Sequence, residues 1–594
     1  MRPILRPTRT VQRLILAFAC GMVRLLGAGI SVGELNYNDP EGADFDFIEL
    51  VNTGTAGIPL QGLTFTRGVG YTFTRNESLA AGERIVVVRD RSKFQARYGT
   101  GIRLADGAFS GGFSSDGERV TLMNSAGVTL VDFSYLPSGD WPSRPNGLGS
   151  TLEPVDPSGD LNDPANWRAS SEWLGSPGRA GAGPLNRVVI NEVLAHTDPP
   201  FEDAIEFLNL TGETIRMDGW YLSNQQSDPT KFQIPTNTLL PPHGRVVIYE
   251  YQFSPANPAS GQKIFRFNSA HGDEAVLMST DSKGQLAYWM DAIRFGATAN
   301  GIPVGRYPEG TGPITTLQRQ TFGTAIDMTY PPDFLTEFRA GKGAPNAGPL
   351  VGPVVVRRIQ PASGASADEF LELESIQSVT APLFDPLHPE NTWRIRGDVE
   401  FDLPQDVQLE PGQRLLVVGI APELFRSRFS VPPNVRVLGP WTGSLGDGSG
   451  RVILYKPDPP QLPPHPDAGF VPYVEVESIG YSVTAPWPVV PPGSGAALLR
   501  KEVRSFGNDP ANWDVESIAP PVTPQVIAAT TGKGVVQLRF TAEAGRTYRL
   551  ESREPVPVAN WSSLGVIPIS AVGGPVVVEP PTVAAARLLR VTVE

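Results

Sequence analysis

Phe47-Ile48-Glu49-Leu50-Val51-Asn52, Ile205-Glu206-Phe207-Leu208-Asn209 and Phe370-Leu371-Glu372-Leu373 are three versions of one phrase, an apolar run that carries a single Glu. Around each the same surroundings recur. A short apolar strand lies about fifteen residues upstream. Downstream a Pro/Gly turn feeds a β-branched strand, read at Ile85-Val86-Val87-Val88, Val246-Val247-Ile248 and Leu415-Leu416-Val417-Val418. A Gly/Asp turn then opens a further strand, at Val120-Thr121-Leu122, Ala275-Val276-Leu277 and Val452-Ile453-Leu454. Recurrence on this scale marks a row of similar modules.

Short β-branched and apolar runs punctuated by turn residues, with no long helical period, predict antiparallel sheets packed as sandwiches. The fold class expected is all-β. Three tandem sandwiches are expected over 30–184, 185–352 and 353–521, with a small C-terminal β-sandwich module over 522–594. Two short helices are expected, at Ser92–Tyr98 and Pro422–Phe429, each just after the central strand of its repeat. Modules of roughly 160 residues are long enough to bury a core each. The joints around Gly181–Leu185 and Gly341–Gly352 are short and rich in Gly and Pro, which predicts some bending without long reach.

Composition narrows the function classes. The 594 residues hold 62 Gly and 59 Pro, which sit between the apolar runs as turns do in all-β proteins. A net charge of −13 gains nothing from the counterion release that drives phosphate-backbone binding, and no Lys/Arg cluster lies within the repeats, so no nucleic-acid partner is expected. Cys20 is the only cysteine, which leaves the modules without disulfides or thiolate metal sites. At the N-terminus, Arg2, Arg6, Arg9 and Arg13 precede the apolar run Leu14–Val23, and small residues follow at Gly27-Ala28-Gly29. Residues 1–29 read as a secretory signal with cleavage after Ala28, implying a secreted, surface or periplasmic location. Membrane contact is expected only through this segment if it stays uncleaved.

The second repeat reads Val189-Ile190-Asn191-Glu192-Val193, Asp203-Ala204-Ile205-Glu206-Phe207-Leu208-Asn209, Gly219-Trp220-Tyr221-Leu222-Ser223-Asn224, Phe232-Gln233-Ile234-Pro235, Leu239–Gly244 and Gly272-Asp273. It resembles the lamin tail domain, an immunoglobulin-like sandwich found in nuclear lamins and in many secreted bacterial proteins. The first repeat is similar through Gly33-Glu34-Leu35, Phe47–Asn52 and Leu60–Leu63, and its end, through Asn166-Trp167 to Gly178, resembles the tails of bacterial versions. The third departs from the pattern: Arg357-Arg358-Ile359 stands where the others carry Gly33-Glu34-Leu35 and Asn191-Glu192-Val193, and Pro-rich insertions run through 380–392 and 456–472. The C-terminal piece is similar to small fibronectin-like modules of exported bacterial proteins.

Four groups of residues could carry chemistry. Glu34 with Glu49, and Glu192 with Glu206, could form carboxylate pairs for acid–base work or a hard cation. In the third repeat Arg358 replaces the first carboxylate, and alternation places each remaining Glu among apolar neighbours, so a buried structural role is expected. The acidic turns Asp39, Glu41, Asp44, Asp46 and Asp156, Asp160, Asp163 are the candidate calcium ligands, although neither follows a Ca²⁺-loop spacing. The string Asp-Pro-Ala-Asn-Trp occurs at 163–167 and 509–513, and a turn anchored by its Trp is expected. The five histidines, His196, His243, His271, His388 and His465, lie far apart in sequence, and no hydrolase or nucleotide-binding signature occurs. No resident cofactor is expected, calcium being the one ion the acidic turns suit. The function expected is a non-catalytic exported scaffold, adhesion or protein-interaction protein, its partner an unidentified protein or cell-surface polymer. A polymer-binding protein would need exposed tryptophans, Trp141, Trp220, Trp289, Trp393, Trp441 and Trp487 being the ones to test. A hydrolase would need a His beside a Ser and a carboxylate in one cleft.

Overall fold

The computed structural model describes residues 29–594 apart from 199–200, 324–333, 362–368, 430, 465, 492–493, 518–526, 531–535, 543–547, 554–561, 568–573, 579–587 and 594. The signal segment and His465 therefore lie outside the described residues. Among the described residues no helix is long and apolar enough to cross a membrane.

The repeated phrase is the second strand of a sheet built alike three times. In the first sandwich the strand order is Trp167–Ala169, Leu152–Pro154, Ile30–Asn36, Phe47–Asn52, Arg84–Val88. The second runs Ile314–Thr316, Val304–Arg306, Val188–Leu194, Ala204–Asn209, Arg245–Tyr249. The third runs Trp513–Ser517, Ala496–Arg500, Val354–Gln360, Phe370–Ser375, Arg414–Val418, and adds Arg436–Leu438 as a parallel edge. The facing sheets also correspond, centred on Glu118–Met123, Asp273–Thr280 and Ser449–Pro457.

One irregularity recurs in all three. The pairing of the first strand with the second slips by one residue between Val32 and Glu34, between Ile190 and Glu192, and between Val356 and Arg358. The extra residue of this bulge is Gly33, Asn191 or Arg357, and the slip sets Glu34, Glu192 and Arg358 directly opposite Glu49, Glu206 and Glu372. Bulges re-aim side chains without changing the overall pairing.

These central strands are buried on both faces, which is why they read as continuous rather than alternating apolar runs. Ile48 and Leu50 enter the sandwich core with Leu35, Phe65, Val120 and Leu122. On the other face Phe47 packs with Val86, Val88 and Phe94 beneath the helix Arg91–Tyr98. Asp90 caps that helix by accepting from the Ser92 and Lys93 N–H groups. In the third sandwich Pro422–Phe429 covers the outer face in the same way, placing Phe425 against Phe370 and Val418. The second copy differs. Its post-strand helix shrinks to Glu250–Phe253, and Phe253 turns into the sandwich core with Phe265 and Phe267. The outer face is covered instead from the end of the module, by Phe322 and the helix Phe334–Arg339 with Phe334 and Phe338.

The described chain divides into two compact units, one ending at Ala347 and the other beginning at Gly348. Within the first unit, the joint expected to bend is tied down. The segment after the first sandwich adds to the edge of the long strand Leu286–Phe295 of the second: Glu172 bridges Tyr288, the Trp173 N–H donates to the Ala287 carbonyl and the Trp289 N–H to the Ser171 carbonyl. Trp173 packs on Trp289 with ring centres 5.8 Å apart. The linker folds back, with Ser171 Oγ donating to the Gly183 carbonyl and the Ala182 N–H donating to Glu172. Strand addition at an open edge supplies a rigidity that linker composition did not announce.

The second unit holds the third sandwich and the C-terminal module. The module consists of two three-stranded antiparallel sheets, Ile527–Thr530, Val536–Ala542, Gly574–Val578 and Ser562–Ile567, Tyr548–Arg553, Leu588–Val593. Val536–Ala542 and Tyr548–Arg553 fall in different sheets.

Candidate functional site

The paired glutamates fasten each sandwich's own tail to the outer face of its sheet. Glu34 accepts from Thr151 Oγ1 and, at 2.7 Å, from the Ser176 N–H. Glu49 meets the Arg84 guanidinium and accepts from the Gly178 N–H. Burial pushes both carboxyls above the usual range; the Glu49 and Glu153 charges raise Glu34 further, while the Arg84 guanidinium and the Gly178 N–H hold Glu49 back. In the second sandwich Glu192 accepts from the backbone N–H and hydroxyl of Thr321, and Asn191 Nδ2 donates to Glu206 at 2.7 Å. Burial raises Glu192 to about 7 and Glu206 to about 8. In the third, Arg358 faces Glu372 at 3.6 Å and reaches Glu516 on the last strand at 2.6 Å. The Arg substitution thus keeps the tail-binding function with the charge reversed, which is consistent with a structural role in all three.

The acidic turns resolve differently. Asp39 accepts from Asn36 at 2.9 Å and from Arg97 at 2.6 Å, Glu41 reaches Arg97 at 3.0 Å, and Asp44 takes Lys93 Nζ at 2.5 Å. Two cations of the helix Arg91–Tyr98 therefore occupy the charge these carboxylates offer. Asp46 is buried with neither oxygen partnered, and burial raises it to about 7. Asp156, Asp160 and Asp163 each accept from the N–H two residues on, at Ser158, Asn162 and Ala165, as Asx turns. Among the described residues no three of His, Cys, Asp and Glu converge as a metal-binding group.

The Asp-Pro-Ala-Asn-Trp strings are anchors. Asp163 and Asp509 each cap a single 3₁₀ turn. Trp167 and Trp513 are buried, their indole N–H groups donating to the carbonyls of Leu161 and Gly507. The six tryptophans named as a possible binding row are all buried, none more than 9% exposed. His196 contacts the Thr298 carbonyl at 2.6 Å, and half-exposed His388 lies 3.5 Å from Glu390.

Sequence spacing also did not foreshadow a cleft of about 480 Å³ between the first and second sandwiches. Its charged lining is Arg144, Arg168, Arg306 and Asp291, beside Leu185, Val189, Leu210 and Met290. Arg306 is bound to both Asp291 oxygens at 2.8 and 3.1 Å, and Arg168 reaches Glu153 at 3.3 Å. Arg144 is the exception. It donates to Ser150 Oγ and the Ser170 carbonyl, lies 5.1 Å over the Trp289 ring, and makes no ion pair among the described residues. Burial holds its guanidinium down at about 10. The three arginines stand 24 and 138 residues apart in the chain, so no local basic run could have revealed them.

The geometry defines a class first: tandem immunoglobulin-like sandwiches whose tails are pinned by buried carboxylates. Comparison with protein families matches residues 27–136 and 182–296 to the Lamin Tail Domain. Two regions of the chain are thus similar to the lamin tail domain, and the third sandwich repeats their strand order and bulge outside the matched regions. No curated protein matches the chain.

Proposed function

We propose that this is a non-catalytic exported scaffold or adhesion protein that works by binding another protein. The observation that carries the reading is the engagement of the strand-pair carboxylates. Glu34, Glu49 and Glu192 are engaged by the tails of their own sandwiches, and Glu206 by Asn191 of the neighbouring strand, so these carboxyls serve the packing of the fold. The polymer-binding alternative has lost the row of exposed tryptophans it requires. The lamin-tail class supplies rigid platforms whose end loops and sheet edges are free for recognition.

Two measurements test the proposal. Cell fractionation with mass spectrometry of the N-terminus is expected to recover the chain outside the cytoplasmic membrane, starting at Gly29. Cross-linking through the sandwich end loops is expected to trap one stoichiometric protein partner. Turnover by the purified chain of peptide, ester or glycoside substrates, abolished by a single side-chain substitution, would overturn the non-catalytic reading.

A further inference from the structure

We propose that the cleft between the first two sandwiches binds the carboxylate of a peptide, with Arg144 as its anchor. The lining brings three guanidinium groups and one carboxylate together. Asp291 is already committed to Arg306, and Arg168 has Glu153. Arg144 alone, half-buried, has no carboxylate in contact, Asp291 acting on it only at longer range while bound to Arg306. Its Nε and one Nη donate to protein oxygens, and among the described residues the other Nη has no hydrogen-bond acceptor. A charge withdrawn from water without a counter-ion is costly, and a planar guanidinium with a spare edge matches a carboxylate.

The apolar wall decides what kind of carboxylate. It is aliphatic, formed by Leu185, Val189, Leu210 and Met290. Sugars dock on open aromatic faces, and the aromatic side chain lining this cleft, Trp289, is only 2% exposed, lying between Arg144 and Trp173. An aliphatic wall beside a guanidinium suits a peptide terminus or acidic residue with an apolar neighbour. Both sandwiches contribute, Arg144 and Arg168 from the first and Val189, Met290 and Arg306 from the second, so strand addition between them is what builds the site.

This deepens the protein-interaction reading by naming a recognition site. Its failure is separable, because partner cross-linking through the end loops does not depend on the cleft. The experiment is calorimetric titration of the full mature chain with an equimolar pool of acetylated aliphatic dipeptides carrying free carboxylates. The same pool as C-terminal amides, trigalacturonate and inorganic phosphate are titrated alongside. The free acids are expected to bind with 1:1 saturation, at least tenfold more tightly than the amides, and Arg144→Gln is expected to remove that difference. Because Arg144 also packs on Trp289, a second variant avoids the packing: Asn186→Asp adds a carboxylate at an exposed position of the lining and is expected to weaken the acids at least threefold. Equal binding of acids and amides, binding of trigalacturonate or phosphate without the dipeptides, or unchanged affinity in Asn186→Asp would each overturn the assignment.

Discussion

At the scale of single residues, Glu206 of the recurring phrase is a buried group whose proton is retained by the fold. Glu206 is raised to about 8 and Glu192 to about 7, and Asp203, just ahead of the strand Ala204–Asn209, to about 8, in each case mainly by burial. An unfolded chain loses these protons near the ordinary carboxylate values, so between roughly pH 4.5 and pH 8 the folded form binds more protons than the unfolded one. Stability from these groups is therefore greatest on the acid side of that window and falls as pH rises through it, by at most ~1.4 kcal/mol per pH unit per group. Thermal melting of residues 29–347 is expected to show a lower midpoint at pH 8 than at pH 5.5. Glu206→Gln, neutral throughout and still able to accept from Asn191, is expected to flatten that slope; an unchanged slope would mean that Glu206 is ionised in the fold. The bulge residue gives a second test. A Cβ at Gly33 would stand 2.4 Å from Arg84 Nη1 and 2.5 Å from a Glu49 oxygen, so Gly33→Val forces the ion pair apart. A loss of about 2–4 kcal/mol, in the range of disrupted buried ion pairs and overpacking, is expected in a denaturant melt. The second and third sandwiches carry Asn191 and Arg357 at this place, so the requirement is particular to the first.

At the scale of elements, the sequence told most where one signal served one local structure. The strand phrases, the helix after Asp90 and the Trp of each Asp-Pro-Ala-Asn-Trp string were all legible, because alternation, caps and turn residues act over a few positions. The cover on the second sandwich was not, because its helix moved from just after the central strand to the end of the module, a choice set by which apolar side chains reach the outer face. The cleft was equally hidden, since Arg144, Arg168 and Arg306 come together only through the packing of two sandwiches. The legible elements support graded tests. Asp509→Ala removes a cap on one 3₁₀ turn and is expected to cost about 1 kcal/mol. Trp513→Ala empties a fully buried site in the third core and is expected to cost about 3–5 kcal/mol. Urea unfolding of residues 348–594 resolves the two, and near-equal costs would show that Trp513 is not the anchor of the last strand.

At the scale of the whole chain, modules alike in strand order are not alike in independence. Composition suggests two similar joints, around Gly181–Leu185 and Gly341–Gly352, yet the first two sandwiches form one compact unit while the third belongs to another. The reason lies in three residues after the first sandwich. Ser171, Glu172 and Trp173 extend the second sandwich's sheet, and Trp173 covers Trp289. Contacts of this kind couple folding, since neither surface is complete alone. Residues 29–347 are therefore expected to melt in a single calorimetric transition, and residues 348–594 to fold when expressed separately. Trp173→Ser, which strips the aromatic contact without touching either sandwich core, is expected to split the first transition into two and to lower the midpoint of the second sandwich. A single, unshifted transition in that variant would place the coupling elsewhere. The result also bears on the cleft, because an arginine from one sandwich can face an aliphatic wall from the other only while the two remain joined.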